Sequence, residues 1–294
     1  MSVSQLQSQV EPMRVFVALP GELAVRDLQD LMAYPWFSLA KSKRVAPIQY
    51  RSTRFSLQVE GTHEHGIATI WDADVLIWAA SQIVEARDAG LPTSRLVAAT
   101  PYEILRFIRR GTSVRDYDRL KAAFDRLQAT TVATSIRQAT ARRLHRFSWI
   151  NEWKERSTPE GKPIGLELIL PDWFYAGVLD ANLVLTIDSA YFSLTGGIER
   201  WLYRLVRKHA GHQRDGWRFQ MRHLHIKSGS LARFSDFALD VRRIVARQSL
   251  PGYELQIIQH EREGEVLLFR PRKARDLGRS VSDLVQSIRA AKKL

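Results

Sequence analysis

The chain has 294 residues, room for two domains of ordinary size, and its 45% hydrophobic and 26% charged residues suit buried cores throughout. It has no cysteine, which excludes disulfides, thiolate-bound zinc and a thiol nucleophile, and suits a reducing cytosol. The formal net charge is +13, and it is unevenly placed. Residues 101–157 hold 13 Lys and Arg against 6 Asp and Glu, residues 181–250 hold 12 against 5, and residues 158–180 between them hold 1 against 4. Two basic blocks parted by an acidic strip are expected of two modules that each face a polyanion. Arginine enrichment spread along the chain would not produce the blocks. The N-terminal stretch has no basic start leading into an apolar run, so no signal peptide is expected. The most apolar stretch, Ile70 to Val84, is interrupted by Asp72 and Asp74 and is too short to span a bilayer. A cytoplasmic chain without membrane contact is expected.

Residues 1–34 read as an N-terminal extension with a short helix over about Glu22 to Met32. Trp36 to Arg44 is aromatic and then basic. Gln49 to Glu60 alternates in short runs and reads as strand, with Tyr50, Phe55, Leu57 and Val59 apolar. Ile70 to Asp88 carries Ile70, Val75, Leu76, Trp78, Ala79, Ile83 and Val84 in helical spacing, and Gly90 stops it. Thr100-Pro101-Tyr102-Glu103 sets a capping hydroxyl, a first-turn Pro and a carboxylate three residues on, a helix start whose helix ends at Arg110-Gly111. Ser113 and Asp116 make a second capping box and open a helix with Tyr117, Leu120, Phe124 and Leu127 on one face. Thr130 to Ile136 is rich in β-branched residues, Arg137 to Arg146 is basic, and Phe147 to Glu155 and Ile164 to Leu170 follow as strands. Helix, short helix, turn, helix and hairpin with a basic tip is winged-helix order, with the basic run as the wing.

The pattern repeats. Ile198 to Lys208 is an amphipathic helix ended by Gly211. A short segment, Phe219 to Ile226, leads to Lys227-Ser228-Gly229-Ser230. A helix over about Ser230 to Arg247 puts Phe234, Phe237, Val241 and Ile244 on one face. Tyr253 to Ile258 and Val266 to Phe269 then form a hairpin. Aligning Gly111 with Gly229 sets Arg115 opposite Arg233. The expected fold is α+β, two tandem winged-helix domains from an internal duplication. Residues 35–182 form the first, 183–275 the second, and 276–294 a basic C-terminal helix or tail.

In such a motif the second helix lies in the major groove and its first residues reach base edges. These are Ser113, Arg115, Asp116 and Arg119 in the first domain. In the second they are Lys227, Ser228, Ser230, Arg233 and Ser235, with Arg242 further along. Arginine suits guanine because two donors meet O6 and N7, and hydroxyls suit phosphates. The wing residues Arg137, Arg142, Arg143, His145 and Arg146 are expected along the backbone or in the minor groove. A competing reading is a metal-dependent nicking enzyme. His223-Leu224-His225 has the His-hydrophobic-His pattern that would hold a metal on one strand face, and Tyr117 with Lys121 has a nucleophile's spacing. Tyr117 also sits on the apolar stripe of its helix, and the two matches fall in different domains. His63-Glu64-His65 is a metal-like pair without a third ligand nearby. No Gly-x-x-x-x-Gly-Lys, Gly-x-Ser-x-Gly or His-Glu-x-x-His occurs. No catalytic residue, metal or cofactor is therefore expected.

Six stretches carry a resemblance to a known family. They are Trp36 to Arg44, Ala68 to Trp78, Ala99 to Ile104, His145 to Glu155, Leu170 to Tyr175, and Leu194 to Lys208. Together they resemble the bacterial plasmid replication initiator protein A family, over roughly residues 35–275. The resemblance implies a non-enzymatic initiator that binds repeated sites in plasmid origin DNA and helps load host replication proteins. Related initiators are dimeric when repressing their own gene and monomeric when initiating. A transcriptional repressor without a replication role is the reading from the same binding class.

Overall fold

The computed structural model describes residues 13–140, 143–211 and 216–272. Strand β1 (Val15–Val17) leads to β2 (Arg26–Leu28) and the short helix α1 (Gln29–Ala33), where a helix over residues 22–32 was expected. A hairpin of β3 (Ile48–Arg51) and β4 (Ser56–Glu60) occupies the expected strand region, split by a turn at residues 52–55. Helix α2 (Ala73–Asp88) is buried on nearly every side, so it is the central post of its unit and shows little amphipathic stripe. Strand β5 (Leu96–Ala99) then leads into α3 (Pro101–Phe107) and α4 (Val114–Ala129). Both capping boxes form. The Glu103 carboxylate accepts from the Thr100 N–H at 2.8 Å, and the Glu103 N–H donates back to the Thr100 hydroxyl at 3.2 Å. The Asp116 carboxylate accepts from the Ser113 N–H at 3.2 Å and the Ser113 hydroxyl at 2.6 Å.

The next strands correct the expected wing. Strands β6 (Thr131–Thr134) and β7 (His145–Ser148) join the earlier hairpin in an antiparallel sheet of order β3-β4-β6-β7. The hairpin attached to the α3–α4 unit is instead β8 (Glu152–Ser157) with β9 (Pro163–Ile169), whose tip is residues 158–162. It completes a sheet of order β1-β5-β9-β8, in which only β1 and β5 run parallel. The expected strand from Phe147 to Glu155 breaks in two because Trp149 and Ile150, adjacent in sequence, are both fully buried. A single strand cannot turn two successive side chains inward. Helix α5 (Asp172–Leu179) packs on α2, and β10 (Val184–Thr186) pairs with β2.

The second unit is α6 (Gly197–Ala210), β11 (Trp217–Gln220), α7 (Met221–Ser228), α8 (Phe234–Arg247), β12 (Tyr253–His260) and β13 (Gly264–Pro271). Its sheet has order β11-β13-β12. The first unit's β5, β9 and β8 stand in the same relation, so both units share element order and strand order, with β6 and β7 inserted in the first.

The two units are not strung apart. One continuous cluster of buried side chains runs from Phe16 to Phe269. Residues 15–33, expected as an extension, are built into it: β1 extends the first sheet, β2 pairs with β10, and α1 packs against α6. Two buried ion pairs cross the junction. Arg204 on α6 makes a two-pronged contact with Asp27 at 2.7 and 2.8 Å, each side chain 1% exposed. Arg200, one turn earlier, meets both oxygens of Asp74 at 2.8 and 2.9 Å and also donates to the Leu194 and Phe192 carbonyls. Arg110 from the α3–α4 connection reaches the same carboxylate at 3.0 Å. Burial pushes the Asp74 carboxyl up, and the two guanidiniums pull against it. Among the described residues no helix is long and apolar enough to cross a membrane.

Removing one partner of a buried pair strands the other. Asp74→Ala is expected to lower stability by about 3–5 kcal/mol in urea unfolding. A pH effect is expected at His209, which stacks on Trp217 with its Nε2 buried and unbonded among the described residues. Burial, then Lys227 and Lys208, lower its imidazole to about 4 from 6.5. The unfolded chain therefore binds this proton first. The stability contributed by the neutral ring is intact above pH 6.5 and is lost as pH falls toward 4. His209→Phe is expected to flatten the fall in melting temperature over that window.

Candidate nucleic-acid interface

The α3–α4 pair presents the first residues of α4 to solvent. Ser113, Arg115 and Arg119 are exposed, and Val114 between them is 79% exposed. Ser113 and Asp116 are committed to the cap. The Ser113 hydroxyl and N–H, with Arg119 at 3.4 Å, hold the Asp116 carboxyl below its usual range. Leu120, Phe124 and Leu127 on the opposite face are buried, which fixes the rotation of α4 and turns Arg115 and Arg119 outward. Lys121 reaches Glu155 at 2.6 Å and the Trp153 indole donates to Asp125 at 3.1 Å, so β8 is strapped along α4. Tyr117 is half-buried against the core.

On that hairpin lie cations the sequence reading did not single out. Lys154 and Arg156 flank Glu167 at 3.1 and 3.2 Å, and Lys162 is exposed at the tip. A signal existed: Lys154 and Arg156 are two apart, so a strand puts them on one face, and the turn Thr158-Pro159-Glu160-Gly161 follows.

In the second unit Gly229 ends α7 in the left-handed region at φ +62°. A Cβ there would stand 2.7 Å from the Pro35 Cβ, so glycine is required twice over. Ser230, half-buried in the turn, leads to exposed Arg233 and Ser235 at the start of α8. Arg242, two turns along, is held by Glu265 at 2.8 and 2.7 Å. The β12–β13 tip is acidic, with Glu261 and Glu263 around Arg262 and Glu265 just beyond.

The expected residues thus divide. Arg115, Arg119, Arg233 and Ser235 stand exposed at helix starts, with Ser113 and Ser230 beside them. Arg143 and Arg146 are exposed, but on the β6–β7 connection rather than on the hairpin against α4. Arg142 lies outside the described residues. Three others are turned inward. Arg137, with a side chain 22% exposed, lies flat on Trp173 at 3.8 Å, donates to its carbonyl at 2.7 Å and pairs with Asp30 at 3.1 Å. Lys227, 7% exposed, has its ammonium 4.5 Å over the Tyr34 ring and 5.9 Å over Tyr50. Burial, with Lys208 nearby, lowers that ammonium to about 8. Ser228 is buried and donates to the His225 carbonyl at 2.7 Å. These three were expected outside because basic and hydroxyl residues usually are. Aromatic rings and backbone carbonyls of neighbouring elements hold them within.

The His-x-His pair of the nicking reading falls on helix α7, not on a strand. Two residues apart on a helix point to different sides. His223 stacks on Phe219, and the His225 Nε2 meets the Ala232 carbonyl at 2.8 Å. The His65 ring meets the adjacent Glu64 carboxylate at 3.8 Å, and its backbone N–H donates to the Thr62 hydroxyl at 3.2 Å. No group of three or more His, Asp or Glu side chains placed to hold a metal occurs among the described residues.

A family model described as Replication initiator protein A matches residues 26–255. The chain belongs to this family. A protein of Wigglesworthia glossinidia brevipalpis, named as a replication protein, is 30% identical over 230 residues, 76% of this chain and 82% of that one. Two crystal structures of domains 2 and 3 of RctB share the fold, with TM-scores of 0.59 and 0.52. They cover 83% and 82% of this chain and 97% and 94% of theirs, both at 14% identity. In this replication initiator the match begins at β2, within the stretch built into both units.

Arg137→Ala is expected to lower stability by about 1–3 kcal/mol through the lost stacking and ion pair. Thermal unfolding measures it, and a melting temperature equal to that of the parent chain would contradict the clamping role.

Proposed function

We propose that this initiator binds origin double-stranded DNA sequence-specifically through two winged-helix units, with α4 and α8 as the helices that enter successive major grooves. The observation that carries the reading is the repeated construction. Each unit has helix, strand, helix, helix and hairpin, each presents Arg and Ser at the exposed start of its last helix, and both belong to a chain of the replication initiator protein A family. Arg115, Arg119 and Arg233 are the base-reading candidates, since an arginine fork matches guanine O6 and N7. Ser113, Ser230 and Ser235 with the nearby N–H groups suit phosphates. On the first unit Lys154, Arg156 and Lys162 of the β8–β9 hairpin, with Arg143 and Arg146, supply further backbone contacts.

The protein acts without enzymatic chemistry of its own: it marks the origin and recruits host replication proteins, and it represses its own gene where its sites overlap a promoter. A cytoplasmic, plasmid-associated location follows from that role.

The test is selection of bound fragments from a random duplex library, then measurement of the salt dependence of the best binder. One consensus of about 15–25 base pairs with a steep salt slope is expected of two helices in successive grooves. No consensus would refute the reading. Arg115→Ala or Arg233→Ala is expected to cost about 1–3 kcal/mol on the selected site and much less on random duplex. Equal losses on both would remove these residues from base reading.

A further inference from the structure

The aromatic-then-basic stretch Trp36 to Arg44 has no part in the reading above, yet its basic end lies between the two helix pairs. Lys41, Ser42 and Lys43 are all exposed, and neither lysine has a carboxylate partner among the described residues. They form one wall of a groove of about 750 Å³ whose other wall is the α4 start, with Arg110 and Arg119. Lys41 stands 5.5 Å over the Trp71 ring on the groove floor.

Four carboxylates line the same groove, and three of them are tied down. Asp72 is held by Arg126 through two bonds of 2.8 Å, Asp116 is in its cap, and Asp125 accepts from Trp153. Glu64, with a side chain 84% exposed, lines the groove as well, and Lys43 Nζ donates to its backbone carbonyl at 3.4 Å. Among the groove's cations Arg110, Arg119 and Arg126 each meet a carboxylate, whereas Lys41 and Lys43 meet none among the described residues, so these two are placed to meet an anion.

The loop that carries them is also fastened to the second unit. Arg44, 8% exposed, spends its guanidinium on three carbonyls: Ala46 at 2.9 Å, Pro47 at 3.2 Å and Gly229 at 2.6 Å. Gly229 is the residue from which the chain turns toward Ser230 and Arg233. On the other side the Ile67 N–H donates to the Arg44 carbonyl at 2.8 Å. Gly66, at φ +73°, lets the loop close in: a Cβ there would lie 2.6 Å from the Lys43 Cγ and 2.9 Å from the Arg44 carbonyl oxygen. One short, anchored loop thus runs from the groove beside α4 to the turn before α8. Little ordering entropy remains to be lost when it binds.

We infer that Lys41 and Lys43 form a third phosphate-binding site that grips the backbone of the same duplex, between the segments read by α4 and by α8. The inference rests on the duplex-binding reading above. The occupant follows from two exposed lysines without a carboxylate partner among the described residues and from continuity with both helix starts, which a small free anion would not use.

The experiment compares the full chain with Lys41→Gln/Lys43→Gln on the selected duplex and on random duplex across a salt series. Loss of two phosphate contacts lowers the slope of log K against log salt by about 1.8. Affinity at 0.15 M salt should fall roughly tenfold or more on both duplexes, because phosphates carry no sequence information. Lys41→Arg/Lys43→Arg should retain the slope. In ethylation interference, phosphates between the two contacted segments should score with the parent chain and not with the Gln variant. A Gln variant with unchanged slope and affinity, beside a parent chain that binds its consensus, overturns this inference alone. A parent chain that selects no consensus overturns the duplex reading and this inference with it.

Discussion

Arg200 and Arg204 sit one helical turn apart on α6, both are interior, and each is clasped through two prongs by a carboxylate from the other unit. Removing four charges from water is expensive, and the attraction recovered repays it only when geometry is near ideal. Such a pair contributes little net stability compared with apolar residues of the same shape. What it does contribute is selectivity, since any docking of α6 that separates a guanidinium from its carboxylate leaves a bare buried charge. The relative placement of the two helix pairs, and so the span between α4 and α8, depends on this condition.

The N-terminal stretch makes the condition possible. Asp27 is supplied by β2, which pairs with β10 just ahead of the second unit, while β1 extends the first unit's sheet. Trp36 donates to the Asp30 carbonyl at 2.7 Å, and Arg137 clamps Asp30 from α1 to the Trp173 backbone on α5. Tyr34 and Tyr50 form a lid over the Lys227 ammonium beneath the second helix pair. Residues 13–50 act as mortar between two similar blocks, and the family match begins within them, at residue 26.

The blocks are alike in construction and unlike in charge. The first hairpin sets Lys154, Arg156 and Lys162 among Glu152, Glu155, Glu160 and Glu167, with Lys162 exposed at its tip. The second ends in Glu261 and Glu263 and draws Arg242 into a pair with Glu265. Under the proposed reading the first unit holds a duplex by helix and hairpin together. The second relies on its helix start and on the loop that Arg44 pins beside it, because an acidic tip repels phosphate.

Local features were legible in the sequence. Both capping boxes, the apolar face of α4 and the amphipathic α6 and α8 depend on residues three or four apart, and the chain decides such contacts by itself. The β12–β13 hairpin was legible for the same reason: its partners are neighbours in sequence. The choice of which hairpin flanks α4 was not. Strands β6 and β7 are as β-prone and basic as a wing should be, but Val59 and Leu57 on β4 offered them another sheet, and β5 took β8 and β9 instead. Nor could charge type tell an exposed Arg115 from an Arg137 clamped onto Trp173, or from an interior Arg200 or Arg204. By itself the sequence determined the long helices, the two capping boxes, the doubled plan and the basic character. Only the tertiary structure decided which cations face solvent, because that depends on carboxylates, rings and carbonyls brought in from distant parts of the chain.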